Sequence, residues 1–297
     1  MVANDNAAVM PIKQPVYKRQ QFLLALVKQL KGKTTATDLQ KIVFLYLKNT
    51  DTSYYDFMPY KYGAYSFQLA QDVEVLCKIG YMTSDNRLVA PELYSPTITI
   101  DGTYVESLRG NPLIRKTYEF YPYYASRSEI ADKVLSNTAL QSIRAVNRQM
   151  VKEVRMLFSI GYEGKSIEKF VSTLVENDVR LLCDIRSNPI SRKFGFSQRK
   201  LQHILESVGI MYVHIPTLGI ESEERQSLET QEDFTKLFLR YRELLPSREQ
   251  ALQQVYLLLK SNTRIAIMCY EQDPNFCHRT QIKDFLVKRY HVESEDI

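Results

Sequence analysis

The sequence predicts an α/β protein: an open, mainly parallel sheet with helices on both faces over residues 154–297, preceded by a smaller α+β domain over residues 18–95. Three observations carry that reading. The length of 297 residues exceeds what one core usually serves, so two domains of about 150 residues each are the natural division. From Met156 onward short apolar runs alternate with helical patterns, as a parallel sheet requires, because each crossover needs a helix-sized connection. Before that point apolar residues recur mainly at helical spacing, with short extended pieces between.

Composition sets outer limits. The hydrophobic share of 44% is ordinary for a globular chain, and no apolar run approaches the roughly 20 residues that span a bilayer. Residues 1–14 lack the apolar centre of a signal peptide, so a soluble, cytoplasmic protein without a membrane partner is expected. Four cysteines, Cys77, Cys183, Cys269 and Cys277, are too few and too irregularly spaced for a disulfide framework, and the first two sit in apolar surroundings that suit core residues. Residues 1–150 hold 18 Lys/Arg against 13 Asp/Glu, whereas residues 151–297 hold 21 of each, so the whole excess of +5 lies in the first half. That favours a polyanionic partner for this half and is equally compatible with a solvated surface.

Taken in order, residues 1–17 lack periodicity and read as a disordered arm. Arg19 to Leu30 carries a helical stripe through Phe22, Leu23, Leu26, Val27 and Leu30. Thr37 and Asp38 offer N-cap chemistry to a second helix through Leu39, Ile42, Val43, Tyr46 and Leu47, and a third runs from Ser66 to Ile79, where Gly80 stops it. Tyr81-Met82 and Arg87 to Ala90 flank a turn at Ser84-Asp85-Asn86. Three helices and a small hairpin are the plan of a winged helix. Residues 96–153 read as a linker and helical extension, with a strand-like alternation from Pro96 to Ile100, a proline-broken aromatic cluster from Tyr118 to Tyr124 and a helix from Ile130 to Met150.

The segment Tyr60-Lys61-Tyr62-Gly63-Ala64-Tyr65-Ser66 resembles the Tyr-Gly-Pro-Tyr-Ser element of Panacea-type antitoxin and phage-associated domains, and departs from it at Ala64, where proline is common. This resemblance covers residues 18–90 and implies a protein partner for the first half. Tyr54, Tyr55, Tyr60, Tyr62 and Tyr65 fit a core between helices and hairpin, the commoner use of tyrosine, or a stacking surface for bases. Lys61, Tyr62, Lys78 and Arg87 are the candidate nucleic-acid contacts, with DNA expected rather than RNA.

In the second half, Leu157 to Ile160, Val179 to Arg186, Met211 to Ile215 and Arg264 to Cys269 are predicted strands. Ser166 to Asn177, Gln198 to Val208, a long stretch from Glu232 to Lys260 and a terminal helix from Thr280 are the predicted helices. This is a Rossmann-like arrangement, in which ligands bind beyond the carboxyl ends of the strands. Those ends deliver Gly161, Tyr162 and Gly164, then Asp184, Arg186, Ser187 and Asn188, then His214, and finally Glu271, Cys277, His278 and Arg279. Four loops sharing one rim predict one polar pocket.

Four ordered blocks resemble domain-of-unknown-function family 488 over residues 156–290: Ser159 to Gly164, Asp184 to Ser197, Gly209 to His214, and Cys269 to Arg279. The family's recurring elements fall on Asp184, Arg186, Ser191, Arg192, Gly195, Phe196, Ser197, Glu271, Cys277, His278 and Arg279, with Ile185 for valine and Tyr270 where alanine is frequent.

Two chemistries suit these residues. Arg186, Arg192 and Arg279, with the backbone amides of helix starts near Cys277 and Gly164, suit a nucleotide, a phosphate or a nucleic-acid backbone, although Asp184 and Glu271 can equally pair with the arginines to lock the loops. For catalysis, Asp184 and Glu271 form a carboxylate pair for hydrolase- or glycosylase-type work, slightly favoured over a Cys277 thiolate with His278 or His214 as base. Tyr162, Ser191, Phe196 and Ser197 complete the ligand-binding set. Cys269, Cys277 and His278 lack the tight paired spacing of a structural zinc site, so no metal ligand and no cofactor is assigned, and only a weakly held catalytic ion stays open. The two function classes are a nucleic-acid-associated enzyme and a ligand-sensing DNA-binding regulator or antitoxin-like protein without catalysis.

Overall fold

The computed structural model describes residues 15, 17–30, 34–83, 97–221 and 230–297, which divide into two compact units, Met1–Leu140 and Gln141–Ile297. The first unit contains α1 (Lys18–Gln29), α2 (Ala36–Thr50), the antiparallel hairpin β1 (Met58–Tyr60) and β2 (Gly63–Tyr65), α3 (Phe67–Lys78), α4 (Gly110–Phe120) and the short α5 (Ala131–Val134). Helix α6 (Asn137–Met150) starts here and runs past the division. The cap of α2 is Thr35 rather than Thr37 or Asp38. Asp38 occupies the third helical position, its amide donating to Thr35 Oγ1 at 3.1 Å while its carboxylate accepts from the Thr35 amide at 3.2 Å, so the two close a capping box.

The core of this unit joins Phe22, Leu26, Ile42, Val43, Leu69 and Leu76. Tyr54 stacks on Phe22 at 4.3 Å and Tyr55 is buried with its hydroxyl on Asp72, whereas the segment from Tyr60 to Tyr65 forms the hairpin. Gly63 is required twice over: its φ is +87°, and a Cβ there would lie 2.3 Å from the Tyr118 ring. The arm and the expected hairpin from Tyr81 to Ala90 fall largely outside the described residues, at residues 1–14, 16 and 84–96, as does Arg87.

Two expectations for residues 96–153 change. Residues 97–100 form no strand, because Ile98 and Ile100 satisfy their alternation by packing on the helical core. The predicted helix from Ile130 to Met150 is broken between α5 and α6, where Ser136 Oγ accepts from the Ala139 amide at 3.3 Å and starts a new helix. Tyr121 and Tyr124 meet Phe44 edge-on at 5.0 and 4.6 Å, so this stretch completes the first core.

The second unit is a five-stranded parallel sheet in the order β5 (Met211–His214), β4 (Leu181–Asp184), β6 (Arg264–Cys269), β3 (Met156–Gly161), β7 (Ser294–Asp296). β7, a three-residue edge strand on β3, has no counterpart in the sequence reading. Leu157, Cys183, Ile265, Ile267 and Cys269 share one core with α9 (Gln231–Leu244), α10 (Glu249–Asn262) and α11 (Arg279–Tyr290). By the two-residue strand period the equally buried Phe158, Ile160, Leu182, Ala266 and Met268 point the other way, toward α7 (Ile167–Glu176) and α8 (Gln198–Glu206). The stretch from Glu232 to Lys260 is two helices because Pro246 lacks an amide donor and its ring clashes with the preceding turn, leaving a 3₁₀ turn over Leu245–Arg248.

Candidate functional site

At the carboxyl edge of the sheet Gly161 is level with Cys269, and Asp184 with Met268. The loops after β3, β4 and β6 therefore leave the sheet side by side, as expected. The side chains they carry nevertheless divide between the two faces. Asp184 has the parity of Leu182 and points to the α7/α8 face, whereas Glu271 continues the parity of Ile267 and Cys269 and reaches the α9–α11 face. The expected carboxylate pair does not form.

On the α7/α8 face Asp184 is fully buried and its oxygens are taken. Arg186 donates from Nε to Oδ1 at 2.8 Å and from Nη2 to Oδ2 at 2.5 Å, its amide donates to Oδ1 at 3.1 Å, and the Tyr212 hydroxyl donates to Oδ2 at 2.7 Å. Burial alone would pull the Arg186 guanidinium down, but Asp184 outweighs it and holds the group above its usual range; burial and the same carboxylate raise Tyr212. Arg186 Nη1 donates to the Tyr162 hydroxyl at 3.0 Å, and Tyr162 stacks on the buried Phe196 at 4.3 Å. His214 Nε2 lies 2.8 Å from the Arg186 carbonyl. Ser197 Oγ donates to the Ser191 carbonyl at 2.8 Å and closes the loop between them, while the exposed Arg192 makes no hydrogen bond or ion pair among the described residues. Sequence reasoning missed Tyr212, although its register beside Leu182 places it on the face of Asp184, and Lys193, whose Nζ donates to the Tyr162 carbonyl at 2.8 Å.

The α9–α11 face gathers Cys269, Glu271, Cys277 and His278. Glu271 Oε2 lies 3.1 Å from Cys269 Sγ and 3.0 Å from Cys277 Sγ, and His278 Nδ1 lies 3.7 and 4.0 Å from the same two sulfurs. Both cysteines and the histidine are buried, and Glu271 is half-buried. Side chains of adjacent residues usually diverge. Here Cys277 is extended (φ −130°, ψ 137°) and His278 is helical (φ −64°, ψ −18°), and this change of backbone direction at the start of α11 brings both inward. Burial, the Cys269 thiol and the Glu271 carboxylate push the Cys277 thiol well up, against a downward pull from Arg279. The signal for Cys269 was present: on an extended segment it shares a face with Glu271, two residues on.

Arg279 fastens this cluster. It is buried and donates from Nε to Ser159 Oγ at 2.8 Å, from Nη1 to the Glu271 carbonyl and from Nη2 to the Gln272 carbonyl at 2.9 Å. Gly161 allows the same loop to cross, since a Cβ there would sit 1.8 Å from the Glu271 carbonyl oxygen. Gly164, at φ +71°, turns the loop after β3 beneath Gln272. Among the nucleic-acid candidates of the first unit, Lys61 pairs with Glu129 at 3.5 Å, Lys78 pairs with Glu74 at 2.5 Å, and Tyr62 is 47% exposed. A cavity of about 280 Å³ beside Tyr62 is lined by Tyr60, Tyr65 and the buried Lys41, whose Nζ donates to the Ala64 carbonyl at 2.7 Å.

Residues 166–286 match the model of a family described as domain of unknown function DUF488. That span runs from the cap of α7 into α11 and holds both constellations except the residues on β3 and after it, Ser159, Gly161, Tyr162 and Gly164. No curated protein and no solved structure matches the chain.

Proposed function

We propose that the C-terminal unit, which carries a DUF488 domain over residues 166–286, is a hydrolase- or glycosylase-type enzyme acting on nucleic acid or nucleotides, and that the first unit, winged-helix-like in plan, directs it to DNA. The observation that carries this reading is the convergence of Cys269, Glu271, Cys277 and His278 at the carboxyl end of β6 and the start of α11, the edge where open parallel sheets bind ligands. Glu271 is the least buried of the four, so it is the group within reach of a substrate and the one suited to proton transfer. Arg192 and Lys193, on the loop after β4, are cations at the same edge and suit a phosphate backbone. The excess of Lys/Arg in residues 1–150 supports a polyanionic partner.

The test is incubation of the full chain with single- and double-stranded DNA oligonucleotides and with nucleoside monophosphates and triphosphates, products being resolved by chromatography. Turnover abolished by Glu271→Gln with DNA affinity unchanged supports the reading. Turnover that survives this substitution, or none with any of these substrates, overturns it. A second reading, a ligand-sensing DNA-binding regulator or antitoxin-like protein, draws on the saturation of Arg186 and Arg279 by internal acceptors, which removes two guanidinium groups from anion binding. It expects Glu271→Gln to alter ligand-dependent DNA binding in the absence of turnover.

A further inference from the structure

The four side chains on the α9–α11 face have the donor set and the spacing of a metal centre. Their ligand atoms, two sulfurs, one carboxylate oxygen and one imidazole nitrogen, all lie within 4.8 Å of one another. A tetrahedral zinc ion with bonds of about 2.0–2.3 Å places its ligands about 3.3–3.8 Å apart. The four sulfur distances, 3.1 and 3.0 Å to Glu271 Oε2 and 3.7 and 4.0 Å to His278 Nδ1, bracket that range and need shifts of only a few tenths of an ångström.

We propose that Cys269, Glu271, Cys277 and His278 together bind one zinc ion. Two soft sulfurs with an imidazole favour zinc over magnesium or calcium, which prefer oxygen. The spacing argument against zinc assumes that ligands come as close sequence pairs. Here the pairing is made differently: Cys269 and Glu271 share a face at the end of β6, and the 3₁₀ turn Pro274–Phe276 returns the chain so that Cys277 and His278 face them. On binding, both thiols give their protons to solvent, leaving two thiolates and a carboxylate around a divalent ion, one negative charge in excess. The amino end of the twelve-residue α11 and the buried guanidinium of Arg279 oppose that excess.

The surroundings hold the ligands in place. Tyr241 meets the His278 ring edge-on at 5.4 Å, and Arg279 grips the carbonyls of Glu271 and Gln272, so two ligands are oriented by groups that do not themselves ligate. Glu271, half-buried beside three buried partners, is the solvent-facing ligand and the one that a water or substrate oxygen displaces most readily. The inference concerns the cluster on which the enzymatic reading rests, but binding is read without turnover.

The full chain is stripped with a chelator, titrated with zinc and, separately, with cobalt, then dialysed; metal content and the cobalt spectrum are measured. One zinc per chain is expected, with a thiolate-to-cobalt charge-transfer band and the intense visible bands of four-coordinate cobalt. Cys269→Ser with Cys277→Ser is expected to remove the charge-transfer band and retention of the metal; Glu271→Gln keeps the band with weaker retention. Zinc well below one equivalent, a wild-type cobalt spectrum without the thiolate band, or a band that survives the double substitution overturns the proposal. The wild-type spectrum decides the matter even if the double variant does not fold. Bound zinc without turnover removes the enzymatic reading alone, and turnover dependent on Glu271 in a chain that fails to retain zinc removes the zinc alone.

Discussion

On the α7/α8 face both oxygens of Asp184 receive donors, from Arg186 twice through its side chain and from Tyr212, whereas on the α9–α11 face two thiols and an imidazole converge around the carboxylate of Glu271. Both constellations sit at the carboxyl edge of the same sheet, and both read as chemistry in the sequence. The difference lies in what each leaves available. A carboxylate matched by a guanidinium fork and a phenol is satisfied where it stands, so its worth is the fixing of the loop after β4. Two sulfurs, an imidazole and a carboxylate directed at a common point have the donor set of a zinc ion.

The largest effect belongs to the satisfied face. Asp184→Asn removes the anion from a fully buried pair and leaves the Arg186 charge stranded, so it is expected to cost about 3–5 kcal/mol in urea unfolding. A loss below about 1 kcal/mol would mean that Arg186 has another acceptor and that the two faces differ less than their geometry indicates. On the other face Gly161→Ala forces the Glu271 carbonyl aside, an overpacking cost of about 1–3 kcal/mol. It should also weaken cobalt retention at Glu271, whereas Asp184→Asn is expected to lower stability and leave cobalt retention unchanged. Equal loss of cobalt retention in folded Asp184→Asn would join the two faces into one site.

The smallest effect tests whether an uncompensated buried charge behaves differently from the paired one. Burial lowers the Lys41 ammonium from 10.5 to about 7, and its Nζ donates to the Ala64 carbonyl. Between those values the unfolded chain holds more protons than the folded one, so this group makes stability rise with pH, by at most about 1.4 kcal/mol per unit, and contributes no slope below the folded value. The difference in unfolding free energy between wild type and Lys41→Met, followed from pH 6 to 9, should show that rise beginning near neutrality. A flat difference would mean that the lysine stays charged in the folded state.

The strands were legible because β3, β4 and β6 are buried on both faces and read as nearly continuous apolar runs, and the helices because their apolar stripes recur at 3.6-residue spacing. β7 was not, since Ser294–Asp296 is short, polar and paired along one edge, with β3. The interruption at Pro246 was written in the residue itself, while that at Ser136 needed the cap geometry. For the site, the motifs located the right edge of the sheet but not the face. Asp184 and Glu271 look alike in sequence, and strand parity carried past the end of β6 is what separates them.

The amino-acid sequence by itself determined the parallel α/β plan of the second half and the gathering of polar residues at its strand ends, because periodicity and strand-end position are local properties of the chain. Only the tertiary structure decided that Arg186 and Arg279 are spent on internal acceptors, and that Cys269, Glu271, Cys277 and His278 meet. Hydrogen-bond saturation and ligand convergence depend on distances between residues far apart along the chain or set by a single turn, and spacing alone does not encode them.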